Sequence, residues 1–234
     1  MYHIHPNKYL NKLFAIRPYQ GVAPEEAKYL FVGLDANYDK EIEQSEVFPQ
    51  VIEYLQDGVA FWEKYGVHHP FLLPAYRGDG KFFHRSFARI GLTKKYAKDV
   101  CFIELVDVPT YGKSSLEVDD LNINHLARIK RALEGGVARY VFISTSVGSL
   151  MKKSGMFPWL PSKPKATHSP LKLWGTVGAV HLLWHYHFSV YGKFEKVKST
   201  QLDEIGRLLR GDTRDGVSLR LDDMGSTVDD NQGI

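Results

Sequence analysis

Residues 28–38, KYLFVGLDANY, run from a short apolar segment into a glycine, an aspartate and a turn. The apolar segment favours a buried strand, because aromatic and β-branched side chains fit a pleated sheet. Asp35 then falls at the carboxyl end of that strand, where α/β proteins carry their functional groups. Aspartate is also a common turn former that hydrogen-bonds nearby backbone amides. The stretch therefore predicts either a turn residue or a functional carboxylate at Asp35.

Other segments of the chain extend this pattern of strands and helices. Three further short apolar runs favour strands: 100–106, 139–143 and 177–184. Four segments place apolar residues three and four apart, as helices do: 47–56, 81–90, 119–133 and 195–209. Strands alternating with helices predict an α/β fold, which we expect to be a single-domain three-layer sandwich. Its central sheet should be four-stranded and mostly parallel, with helices on both faces.

Composition divides the chain into a basic body and an acidic tail. The whole chain carries a net charge of +3, but residues 211–234 hold six Asp and two Arg, which leaves +7 on residues 1–210. We expect residues 1–210 to form one folded domain and residues 211–234 to be a disordered tail, because the tail is poor in large apolar groups. The basic body modestly favours a polyanionic partner.

Cysteine usage and hydropathy predict the compartment. The single cysteine, Cys101, lies in an apolar run and has no partner for an internal disulfide. No apolar run approaches the roughly 18–20 residues that span a membrane, and the start, MYHIHPNKYL, lacks a signal-peptide pattern. We expect a cytoplasmic protein without a membrane partner. Neither a G-x-G-x-x-G nor a Walker motif occurs, so no nucleotide cofactor is predicted.

Three loops that follow predicted strands carry polar and ionisable residues: 33–38 (GLDANY), 104–110 (ELVDVPT) and 185–189 (HYHFS). In order and content they resemble the motifs of the uracil-DNA glycosylase superfamily. The first is similar to G-Q-D-P-Y-H or G-I-N-P-G, and the second to the K-L-V-D-R-P-T of the mismatch-specific uracil/thymine branch. The third takes the place of H-P-S-P or N-P-S-G, without the prolines. The resemblance spans roughly residues 28–192, and the segment 40–66 looks like an insertion that widens or roofs the pocket.

The resemblance implies a catalytic pair. Asp35 would stabilise the cationic sugar of the transition state and orient or deprotonate the attacking water. His185 would donate a hydrogen bond to the departing base. The alternation of His181, His185 and His187 along one strand also fits satisfied polar residues, or a zinc site that lacks an obvious fourth ligand. We expect no metal and no other cofactor.

Substrate-binding residues follow from the same resemblance: Gly33, Leu34, Asn37, Tyr38, Phe71 and Glu104. Phe71 would stack on the extruded base, with Tyr38 as a second candidate, although either aromatic could be core. Glu104 interrupts an apolar strand at the base-reading position. An ionised glutamate only accepts hydrogen bonds, which favours the exocyclic amine of a cytosine-derived, modified base over uracil. The alternative for Glu104 is an ion pair with a neighbouring Lys or Arg.

The loops after the second and last strands supply candidate DNA contacts: Lys113, Ser114, Ser115, His187, Phe188, Ser189, Tyr191 and Lys193. Phe188 and Tyr191 suit a wedge that fills the space of a flipped nucleotide, and Lys193 suits a phosphate contact.

Together these features predict a monomeric, monofunctional DNA glycosylase that flips a base and leaves an abasic site, with a role in defence against viral DNA that carries modified bases. Two other hypotheses are an α/β hydrolase acting on a nucleoside or other small molecule, and a DNA-binding module without chemistry.

Overall fold

The structure is a computed structural model that describes residues 2–112, 115–167 and 169–211. It is a mixed α/β fold, and the strands found in those ranges are β1 His3–Ile4, β2 Tyr19–Gly21, β3 Tyr29–Gly33, β4 Ala36–Tyr38, β5 Val100–Glu104, β6 Pro109–Tyr111, β7 Tyr140–Ile143, β8 Lys172–Val177 and β9 Val180–Trp184. The α-helices are α1 Lys8–Ile16, α2 Phe48–Gln56, α3 Gly58–Tyr65, α4 Lys81–Ala88, α5 Ile123–Gly135, α6 Thr145–Lys153 and α7 Glu195–Arg210.

The large sheet has six strands in the order β2-β5-β3-β7-β9-β8, so the prediction of a four-stranded sheet is wrong. The four strands that the sequence indicated are β3, β5, β7 and β9, and they run parallel to one another at the centre of the sheet. The strands β2 and β8 add antiparallel edges. Both edges escaped prediction because β2 has only three residues and the pairing of β8 shifts register between Leu173 and Gly175.

Helices cover both faces of this sheet. Successive side chains of its buried strands point to opposite faces, so each face carries apolar side chains that pack against helices. Leu30 and Val32 of β3 pack with Leu126 and Ile129 of α5 and with residues of α6. The intervening Phe31 packs on the other face against α4 and α7. Cys101 is fully buried in the first of these cores.

A second, three-stranded sheet, in the order β1-β6-β4, continues from the large one. The chain leaves β3 and enters β4 after two residues, and β4 pairs in parallel with β6, which follows β5. The segment 40–66 forms a short 3-10 turn, α2 and α3, and packs beside this sheet. The first two predicted motifs are therefore held side by side by backbone pairing.

The four predicted helices are confirmed as α2, α4, α5 and α7, whereas α1, α3 and α6 were not predicted. Within the ranges given above, no helix combines the length and the apolar character needed to cross a membrane. The predicted tail beyond Gly211 lies outside the described residues, as do Lys113 and Ser114.

Candidate active site

A cavity of about 280 Å³ lies at the carboxyl ends of β3 and β5. Nine residues that the sequence proposed for the site line it: Gly33, Leu34, Asp35, Asn37, Tyr38, Phe71, Glu104, His187 and Ser189. They come from all three predicted motifs and from the segment that precedes α4. The topology thus gathers sequence-distant polar groups into one concave site.

Asp35 is positioned by side chains of the smaller sheet. The hydroxyl of Thr110 donates a hydrogen bond to Oδ2 of Asp35, and Nδ2 of Asn37 lies 3.5 Å from the same oxygen. Asn37 also donates to the carbonyl of Gly112 at 2.8 Å. Thr110 is fully buried and lies opposite Asn37 in the β4–β6 pairing. Strand pairing therefore fixes the orientation of this carboxylate.

Glu104 lies beside Gly33 on the neighbouring strand, where the two residues are partners in the β3–β5 register. A Cβ atom at position 33 would overlap with the carboxyl group of Glu104. Only glycine leaves the space that this carboxyl group occupies. Among the described residues no Lys or Arg forms an ion pair with Glu104, so the ion pair considered as an alternative is not found there.

The protonation state of Glu104 differs from the expected one. Burial and, second, the charge of Asp35 raise the pKa of Glu104 to about 8. The carboxyl group is therefore largely protonated at pH 7, and it can donate one hydrogen bond and accept another. The inference that this residue only accepts, and so selects an exocyclic amine, does not hold for the neutral acid. The cavity combines a neutral carboxyl group with a second carboxyl group, that of Asp35.

His187 supplies a hydrogen-bond donor to the cavity. Burial lowers the pKa of His187, the charge of Asp35 raises it and Lys198 lowers it further, with a net decrease. The neutral ring accepts a hydrogen bond at Nδ1 from the backbone N–H of Ser189, at 3.3 Å. Because Nδ1 accepts, the ring proton lies on Nε2, and Nε2–H can donate to a ligand.

His185, the predicted donor, is not part of the cavity lining. It is buried, its ring stacks on Phe188 with a centroid separation of 4.5 Å, and its Nδ1–H donates to the carbonyl of Tyr186 at 2.7 Å. Burial lowers the pKa of His185 to about 4. Strand β9 ends at Trp184, and the chain then brings His187 to the cavity instead.

Aromatic rings form much of the remaining wall. Phe71 is only 2% exposed and stacks on Tyr76 at 4.1 Å, so it offers a small surface to a ligand. Tyr54, from α2, contributes to the wall from the segment 40–66. His69 and His84 stack at 3.5 Å, and burial lowers the pKa of His84 to about 3 and that of His69 well below its usual range. These rings are neutral and add no cation.

The predicted DNA contacts separate into three groups. Phe188 is 1% exposed and packs among Phe31, Phe83 and Phe87, so it cannot act as an exposed wedge. Tyr191 is 79% exposed, and Lys193 and Ser115 also lie on the surface. His187 and Ser189 belong to the cavity, as described above. Tyr191 is therefore the aromatic of this loop that can reach another molecule.

Several lining residues were missed from the sequence: Gln20, Tyr54, Phe83, His69, His84 and Phe102. Thr110, which orients Asp35, was quoted in a motif but was given no role. The pair His68-His69 directly precedes Pro70 and Phe71, and this aromatic cluster could have indicated His69. Gln20 had no signal, because β2 is too short to show a pattern. Within the described part of the chain, no set of three or more His, Cys, Asp and Glu side chains is arranged to hold a metal ion.

No protein-family model matches the chain, and no curated protein matches its sequence.

The raised pKa of Glu104 predicts a stability effect. The folded state holds the proton more tightly than the unfolded state, so folding stability falls as pH rises from the ordinary value of 4.5 towards 8. Replacing Glu104 with Gln removes this dependence at nearly constant shape. We expect the melting temperature of Glu104→Gln minus that of wild type to increase as the pH rises from 5 to 8. Glu46 is exposed, so Glu46→Gln is the matched control. An equal trend in both variants would show that the pKa of Glu104 is not raised.

Proposed function

We propose that this protein is a monofunctional DNA glycosylase with a uracil-DNA glycosylase-like three-layer fold. The observation that carries the proposal is the joint presence of Asp35, a neutral Glu104 and a neutral His187 in one cavity at the carboxyl ends of parallel strands. Hydrolysis of an N-glycosidic bond needs stabilisation of a cationic sugar and of a departing base, and these groups suit both tasks.

The proposed reaction uses Asp35 and His187, and Glu104 contacts the base. The bond between C1′ and the base nitrogen breaks, and its electron pair leaves with the base. Asp35, held by Thr110 and Asn37, stabilises the positive charge and orients a water molecule whose oxygen bonds to C1′. The proton of that water passes to Asp35 and then to the released base. His187 donates from Nε2 to the oxygen of the base on which negative charge gathers.

Two of the proposed DNA contacts come shortly after the cavity residues in the chain. Tyr191 follows the cavity residue Ser189 by two positions and is exposed, which suits a side chain that occupies the space of a flipped nucleotide. Lys193 lies on the surface over the ring of Phe194, at 5.0 Å, and can meet a phosphate. The net charge of +7 on residues 1–210 supports a polyanionic partner.

The cavity favours hydrolysis over strand cleavage. None of the described residues that line it is a lysine, so no group there forms a Schiff base with the sugar. Its volume of about 280 Å³ lies just below the range of roughly 300–1,000 Å³ typical for drug-sized ligands, which suits a nucleobase. The same small volume favours the second candidate, a hydrolase acting on free nucleosides with the same residues.

The first test concerns Asp35. Asp35→Asn should lower base release by at least about 100-fold with little loss of DNA affinity, because one electrostatic group contributes several kcal/mol to a transition state. The assay presents duplex and single-stranded DNA containing normal and modified pyrimidines, cleaves abasic sites with hot alkali and identifies the released base by mass spectrometry.

Asp39→Asn is the matched control for that test, because Asp39 is exposed and does not line the cavity. Base release from free nucleosides but from no DNA would favour the second candidate. Wild-type turnover by Asp35→Asn would remove this carboxylate from the mechanism.

A second test separates the two histidines. His187→Ala should lower kcat by about 100-fold or more, as expected for loss of one donor to a developing oxyanion, and should leave the melting temperature nearly unchanged. His185→Ala should lower the melting temperature, because His185 packs on Phe188, while the folded protein keeps a kcat near the wild-type value. The opposite result would return the donor role to His185.

A further inference from the structure

Gln20 is a polar residue of the cavity that takes no part in the reaction proposed above. It lies on the edge strand β2, is only 5% exposed and lines the cavity. Its Nε2 atom is buried and has no hydrogen-bond partner among the described residues. A buried amide donor is normally paired, since an unpaired one destabilises the fold. An unpaired donor in the wall of a cavity points to a ligand that accepts its hydrogen bond.

Gln20 and Glu104 approach the cavity from the same face of the sheet. In the antiparallel β2–β5 pairing Gln20 lies opposite Phe102, and Glu104 follows Phe102 by two residues. Side chains two apart on a strand share a face, so Gln20 and Glu104 are diagonal neighbours, a separation of roughly 7–8 Å. Phe102 is next to both residues on this face, and all three residues line the cavity. Two polar groups beside an aromatic ring suit the edge of a flat heterocycle.

We propose that Gln20 and Glu104 together select pyrimidine bases, with Nε2 of Gln20 donating to the 2-carbonyl oxygen and the carboxyl group of Glu104 pairing with N3 and the substituent at C4. This inference rests on the proposed function only in that the base is delivered from DNA. It makes Gln20 the specificity-determining residue of the site.

The hydrogen-bond inventory of the bases supports this division. Cytosine presents an acceptor at N3 and a donor at N4, whereas uracil and thymine present a donor at N3 and an acceptor at O4. A neutral carboxyl group pairs with either arrangement, and O2 remains for Gln20. Adenine has no carbonyl oxygen for Gln20. Guanine places two donors, N1–H and the N2 amine, beside its carbonyl, and a neutral carboxyl group offers one acceptor and one donor.

The test measures binding of free bases to the full chain, with no chemistry involved. Uracil, cytosine, adenine and 2-thiouracil are titrated into wild type, Gln20→Leu and Gln50→Leu, and dissociation constants are measured by NMR. Gln50 is the matched control, since it also carries a buried side-chain atom without a partner but does not line the cavity. In 2-thiouracil a weaker acceptor, sulfur, replaces the oxygen that Gln20 is proposed to contact.

Wild type and Gln50→Leu should bind uracil and cytosine about 10-fold or more tightly than adenine and 2-thiouracil, and Gln20→Leu should lose this preference. Gln20→Met, which also lacks the donor, replaces Gln20→Leu if that variant does not fold. Equal preference in wild type and the Gln20 variant, or no preference in wild type, overturns the inference. If binding depends on Gln20 but no base is released from DNA, the inference about Gln20 stands and the glycosylase proposal is rejected. If base is released from DNA but Gln20→Leu keeps the wild-type preference, the glycosylase proposal stands and the inference about Gln20 is rejected.

Discussion

The burial of Glu104 beside a second carboxylate is the constraint on which the rest of the site depends. Two ionised carboxyl groups in a cavity with no cation among its described lining residues would repel each other, and burial penalises the charged form further. The conflict is relieved by protonation of Glu104, while Thr110 and Asn37 donate hydrogen bonds to Asp35. One carboxyl group thus becomes a hydrogen-bond donor and acceptor, and the other is held as an electrostatic group. Environments that push the pKa values of two carboxyl groups apart allow the two groups to take different roles.

The backbone makes this arrangement possible. The parallel pairing of β3 with β5 places Gly33 directly beside Glu104, and the absence of a side chain at Gly33 leaves room for the carboxyl group. Two residues after β3 the chain pairs again, as β4 with β6, which brings Thr110 to Asp35. Asp35 and Glu104 are therefore held in place by the same two strand pairs. A cavity held in this way is organised before a ligand arrives, as electrostatic catalysis requires.

Sequence patterns predicted the parts of this structure that depend on strong local signals. The four central strands and four of the helices follow from apolar spacing, and Asp35 and Glu104 stand out as carboxyl groups at the end of, or within, apolar strands. The edge strand β2 is too short to show a period, so Gln20 could not be placed. His185 was predicted as the donor because it begins the third motif of the resemblance. Tertiary packing decides how the chain continues after β9, and a shift of two residues exchanges a core histidine for a cavity one. The protonation of Glu104 depends on burial and on Asp35, which are properties of the folded chain.

The most direct test of this account is the titration of Glu104 itself. Carbon-13 NMR of the protein with labelled glutamate side chains follows each carboxyl carbon from pH 4 to pH 10, and the resonance missing in Glu104→Gln assigns the group. We expect a midpoint of about 8 for Glu104, and a lower midpoint when Asp35 is replaced by Asn, because a neighbouring negative charge has been removed. A midpoint near the ordinary glutamate value of 4.5, unchanged by Asp35→Asn, would contradict it.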